Sequence, residues 1–209
     1  TAAMLAEAST RQHRYEQILD LLFPMAGAYS ASVSTETTVV AGRIHKDNLA
    51  ASCPLLAAAI LEPAFEQDDL DRLKSRSLNY LENTLHYAGD EDLAKAVLQN
   101  TIFAGTPYGH IPQGTIAGVR SITLEDVRRF HREHYTRDNL VIGIGGGYSP
   151  SVLDQLQRGR ARLPAGKPPT VPPPEPPAIH GRQVLIVEKD AEATAISLGC
   201  PLPVLRGSR

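Results

Sequence analysis

The chain has 209 residues, 42% hydrophobic and 21% charged, enough to bury a core and too apolar for a disordered segment. Twenty-one Lys and Arg against 23 Asp and Glu leave a formal charge of −2, so there is no nucleic-acid footprint. No apolar run approaches the roughly 18–20 residues a membrane-spanning helix needs, and Cys53 and Cys200 show neither a disulfide framework nor CxxC or CxxH zinc spacing. Residues 1–8 are Ala-rich and helical in pattern. Tyr15, Ile18, Leu19 and Leu22 recur at helical spacing and are stopped by Pro24 and Gly27. Residues 28–34 and 37–44, rich in Ser, Thr and Val, read as paired antiparallel strands. Helices are expected over 47–61, 68–88, 90–103 and 123–135, the last opening on a capping box at Thr123 and Asp126. Residues 139–145 (VIGIG) read as a buried-type strand. Half of the 16 prolines fall between Pro164 and Pro177, a polyproline stretch able to span on the order of 40 Å. Beyond it, 184–190 and 193–199 read as a hairpin.

Strands and helices do not alternate as βαβ units, so the class is α+β: a layered sandwich of a mostly antiparallel sheet with helices packed on one face. The expected organisation is an α+β domain over 1–162, a Pro-rich linker over 163–181, and the first strands of a second, related domain over 182–209. The Pro-rich run reads as a plain connector; an SH3-type ligand is the sharper alternative.

Four constellations invite chemistry. Thr1 would be an N-terminal nucleophile only at a strand start, and here it heads a helical segment. His131 and His134 lie at i and i+3, one face of a helix, but Arg128, Arg129 and Arg132 crowd them with positive charge. Gly143, Gly145, Gly146 and Gly147 imitate a phosphate loop without the Lys-Ser/Thr that completes one. Glu82 shares a helix face with Leu78 and Leu85, so its carboxylate needs a cationic partner or belongs to a site.

Taken together, LAEAST (5–10), PMAGAYSASVSTETTVVAGRI (24–44), LLAAAILEPAF (55–65), the long run from GTPYGH through HREHYTRDNLVIGIGGG (105–147) and VEKDAEATAISLG (187–199) resemble the pitrilysin/insulinase family of zinc peptidases, the inverzincins. The resemblance covers nearly the whole chain and implies the family's α+β fold. Catalytic members carry HxxEH on one helix and a Glu about 75 residues later; the two His and the distant Glu bind zinc and the inner Glu activates water. Anchored on LAEAST, the positions of the base and second His fall on Ala3 and Met4, while the distant ligand position falls on Glu82. The resemblance therefore implies a half-unit or fragment that lacks HxxEH and resembles non-catalytic members, with no catalytic residue of its own. Zinc is the family's cofactor and is not expected to be held by this chain alone.

The implied function is a non-catalytic peptide-binding or partner domain, holding an extended peptide beside an active peptidase subunit or second family domain. Tyr29, Ser30, Ala31, Ser32, Val33 and Ser34 form the candidate edge strand for that peptide. Two alternatives stay open. One is a fragment of an active zinc endopeptidase whose HxxEH lies outside this sequence; the other is a scaffold with no peptide function. The residues do not fix the compartment; bacterial members of the family are often exported, so the resemblance is compatible with the periplasm or another exported location.

Overall fold

A computed structural model describes residues 1–167, 175, 178–190 and 194–201. Its secondary structure runs α1 (Ala2–Ala6), α2 (Tyr15–Leu22), β1 (Ala28–Val33), β2 (Thr38–Arg43), α3 (Leu49–Leu61), α4 (Gln67–Asn79), a π-helical continuation (Tyr80–Ala88), α5 (Asp90–Ile102), α6 (Ile116–Ser121), α7 (Leu124–His134) and α8 (Pro150–Ala161). The fold is α+β, dominated by helix, with one small antiparallel sheet among the described residues. The chain divides into two compact units: Thr1–Lys74 with Ile122–Thr170, and Ser75–Ser121 with Val171–Arg209. It passes from one to the other inside α4.

In the first unit, Met4, Leu5, Ala8, Phe65, Leu70, Leu73 and Val127 form the buried core, drawn from α1, α4, α7 and the segments just after α1 and before α4. Leu5 and Ile18 are each 1% exposed. The expected capping box holds α7: the Thr123 hydroxyl accepts from the Asp126 amide at 3.2 Å, and the Asp126 carboxylate accepts from the Thr123 amide at 2.9 Å. β1 pairs with β2 in the register Ala28↔Arg43 to Val33↔Thr38, as the sequence pattern anticipates. Gly42 of β2 lies against α3, where a Cβ would make ordinary contact with Leu56 Cδ2 at 3.7 Å and Tyr29 Cβ at 3.5 Å.

In the second unit, Leu81, Leu85 and Val119 are buried with Leu78, Tyr80, Leu93 and Ile111 packed against them. Gln99 and Asn100 on α5 donate to the carbonyls of Tyr108, His110 and Gly109, tying the TPYGH loop to the helix. Gly109 is required there: a Cβ would lie 2.6 Å from the Phe103 carbonyl oxygen.

Two strand expectations are corrected. Residues 140–145 are irregular, with Val141 94% exposed, and the described parts of 184–190 and 193–199 form no hairpin. Both runs have strand-forming side chains, but Leu185, Ile186 and Leu198 stand 63%, 76% and 90% exposed. Strand propensity without a packed face or a paired edge does not make a sheet. Residues 191–193 of that expected hairpin, and 168–174, 176 and 177 of the Pro-rich linker, lie outside the described residues.

Candidate functional site

The helix that should carry the peptidase motif is α1, and its interior is apolar. Met4 is 3% exposed and packs among Leu5, Leu70, Leu73, Phe65 and Val127, while Ala3 packs on the same cluster. The segment leaving α1 is fastened to the start of α4. The Arg11 amide donates to the Glu62 carbonyl and the Ala64 amide to the Ser9 carbonyl, each at 2.9 Å. The Asp69 carboxylate accepts from the Ser9 amide at 2.8 Å and pairs with Arg72 at 2.7 Å. Burial raises the Asp69 pKa, but the bonds from Arg72 and Ser9 outweigh it and the net shift is downward. The Arg72 guanidinium also sits 5.3 Å from the centre of the Tyr15 ring. Sequence reasoning passed over this pair, although the i, i+3 spacing of Asp69 and Arg72 on a helix was a readable signal.

β1 lies in the same unit. The Ser34 amide donates to the Thr37 carbonyl at 2.8 Å, which makes 34:37 a bonded pair. Bonded and non-bonded pairs alternate in an antiparallel ladder. Residues 28, 30 and 32 therefore turn their amides and carbonyls to β2, while Tyr29, Ala31 and Val33 turn theirs to the opposite edge. Ser30 and Ser32 expose their side chains; Tyr29 and Ala31 are half-buried. Tyr29 lines an apolar cleft of about 340 Å³ with Tyr15, Ile18 and Leu22. Burial, then the neighbouring Tyr15, pushes its hydroxyl up to about 12. Ser34 lies just past β1, and its hydroxyl stands 2.9 Å from that of Thr37 across the turn.

In the second unit, Glu82 lies in the π-helical segment, 37% exposed, and its carboxylate pairs with Arg120 of α6 at 2.6 Å. A cationic partner for this carboxylate is what its place on an apolar helix face required. The histidine pair of α7 is engaged elsewhere. His131 Nε2 lies 2.9 Å from the Ile60 carbonyl oxygen and its ring stacks on Tyr135, while His134 stacks on Phe130 at 4.1 Å. Burial holds His131 below its ordinary pKa.

Zinc does not fit the family's positions as this chain fills them. At the positions the resemblance assigns to a base and an imidazole, this chain has a methyl group and a thioether inside an apolar core, and tetrahedral zinc needs three protein donors even in its open form. Among the described residues no group of three His, Cys, Asp or Glu side chains is placed to hold a metal, and no helix is long and apolar enough to cross a membrane.

These features define a pitrilysin-type α+β domain. The solved peptidase M16 inactive domain from Pseudomonas fluorescens superposes with a TM-score of 0.74 at 24% identity, over 84% of this chain and 42% of that one. Pitrilysin superposes with a TM-score of 0.63 at 18% identity, over 83% of this chain and 19% of its own. Residues 121–207 match the family profile described as the peptidase M16 inactive domain. Among curated relatives, the non-peptidase homologue YmxG of Helicobacter pylori is 27% identical over 88% of this chain and 42% of its own length. An uncharacterised zinc protease of Streptomyces coelicolor is 25% identical over 92% of this chain and 43% of its own. The chain thus spans less than half the length of these relatives. In sequence and fold the chain is similar to M16 peptidases of the pitrilysin/insulinase type and to their non-peptidase homologues, and residues 121–207 carry the match to the inactive-domain profile.

Proposed function

We propose that this chain is a non-catalytic M16 domain that holds extended peptide at the free edge of β1, beside an active peptidase subunit or a second family domain. The observation that carries the reading is the burial of Met4 in the core, with Ala3 packed beside it; the resemblance assigns these two positions to a peptidase's base and second histidine. A helix that spends those positions on packing has no group to activate water or to take a proton. A relative in Dictyostelium discoideum, 26% identical over 62% of this chain, is the beta subunit of the mitochondrial processing peptidase. That relative supports a place beside a peptidase subunit.

Within this reading, the layered sheet of the family completes itself around β1 and β2, and 182–209 begins a second related domain after the 163–181 linker. Tyr29, Ala31 and Val33 supply the amides and carbonyls that pair with peptide. Ser30 and Ser32 leave a low-bulk surface, so pairing through the backbone carries little side-chain selectivity.

The test is anisotropy of a labelled extended peptide on the full chain. Ala31→Pro removes an outward amide without breaking the ladder to β2 and is expected to abolish binding; Ser32→Ala should bind as the parent does. Peptide that binds Ala31→Pro and parent equally, with the circular dichroism unchanged, would exclude this edge and favour the scaffold alternative. Peptide hydrolysis by the chain alone would favour the active-peptidase alternative.

A further inference from the structure

Lys189 is a charged residue with no role in the reading above. Lysines are rarely buried without a partner, yet its side chain is only 11% exposed. Its Nζ donates to the carbonyls of His86 at 2.8 Å and Tyr87 at 2.9 Å and forms an ion pair with Asp90. Those carbonyls belong to the last turn of the π-helical segment that ends at Ala88, where a helix runs out of backbone donors. Gly89 does not supply a left-handed cap, since its φ is −111° and its ψ 65°. Asp90 opens α5 immediately afterwards. A single ammonium therefore caps the negative end of one helix and neutralises the first carboxylate of the next.

Apolar packing contributes little to this attachment. Val184, Leu185, Ile186 and Val187 are 85%, 63%, 76% and 51% exposed. Further along, Gly199 approaches α5 closely, where a Cβ would lie 3.1 Å from Leu98 Cδ2 and 3.2 Å from Ile102 Cδ1.

We propose that Lys189 is the pin of a strap: its ammonium latches residues 182–190 onto the junction between the π-helical segment and α5. The strap is held by that polar contact and not by burial of its own side chains. Releasing the pin frees the strap and uncaps the helix end together, so the two events are one conformational step.

The experiment is limited trypsin digestion of the full chain, following cleavage after Arg182. Lys189→Met keeps the aliphatic stem and removes the charge; with two charge-assisted hydrogen bonds and an ion pair lost, cleavage is expected to accelerate on the order of tenfold or more. Lys189→Arg restores a donor and should lie near the parent, and Asp90→Asn should fall between. Cleavage in the first unit, after Arg11, serves as the control and should not change. An unchanged rate after Arg182 in Lys189→Met would overturn the proposal. If that variant loses its circular dichroism, Asp90→Asn decides: acceleration supports the latch and parent-like cleavage overturns it.

Discussion

Met4 and His131 are both committed to packing, and each makes a measurable demand on the fold. Met4 sits in the α1–α4–α7 core at 3% exposure, so Met4→Ala removes buried methylenes and leaves a void. The expected cost is about 2–5 kcal/mol, read as a lowered urea midpoint at unchanged slope. His131 makes its demand through pH. Burial first, and the nearby Arg132 guanidinium to a smaller degree, lower its pKa, while the Ile60 carbonyl opposes them. A histidine whose folded pKa is depressed favours the folded state when neutral. Its contribution is whole above the unfolded value near 6.5 and is lost as pH falls through that value toward the folded one. The urea midpoint of the parent should therefore drop between pH 7.5 and 5 by more than that of His131→Gln. Equal drops would mean that the ring titrates freely.

At the scale of elements, the ladder alternation makes a prediction about stability separate from peptide binding. Ser30 turns its amide to β2 and Ala31 turns its own away, so Ser30→Pro should destabilise the chain more than Ala31→Pro, by about one hydrogen bond's worth, ~1 kcal/mol. The reverse order in thermal melts would place the register one residue off. That register illustrates what the sequence disclosed. The two strands were legible from alternation and a polar break, as was the α7 box from Thr123 and Asp126, because these signals are local. Which edge of β1 is free depends on how the turn at Ser34 closes, and nothing in the alternation says so. The VIGIG and VLIV runs misled for the converse reason: β-branched residues record a readiness to pair, and pairing needs a partner. α6 went unread because it has only six residues with Gly118 inside it, too little pattern to stand above its flanking loops. The Lys189 contact joins residues about a hundred apart in sequence, which no periodicity can register.

For the whole molecule, the residues that the resemblance assigns to the family's zinc positions fall in both units, and each makes a structural contact. Ala3 and Met4 serve the core of the first unit. Glu82 serves the second by pairing with Arg120, an exposed pair whose coupling in a double-mutant cycle should be about 0.2–1 kcal/mol. The assignment of Glu82, Ala3 and Met4 to those positions rests on the resemblance, and the contacts each residue makes could not be read from it. One carboxylate cannot hold zinc against water, and this one has a guanidinium bound to it already. The 209-residue chain dialysed against trace zinc should therefore retain far less than one ion per molecule by elemental analysis, and Glu82→Gln should leave that ratio unchanged. The same variant should lower the melting temperature slightly through the lost pair with Arg120, so a silent substitution is distinguishable from an ineffective one. A ratio near one zinc per chain that disappears in Glu82→Gln would show that Glu82 exchanges Arg120 for the metal, and the non-catalytic reading would fall with it.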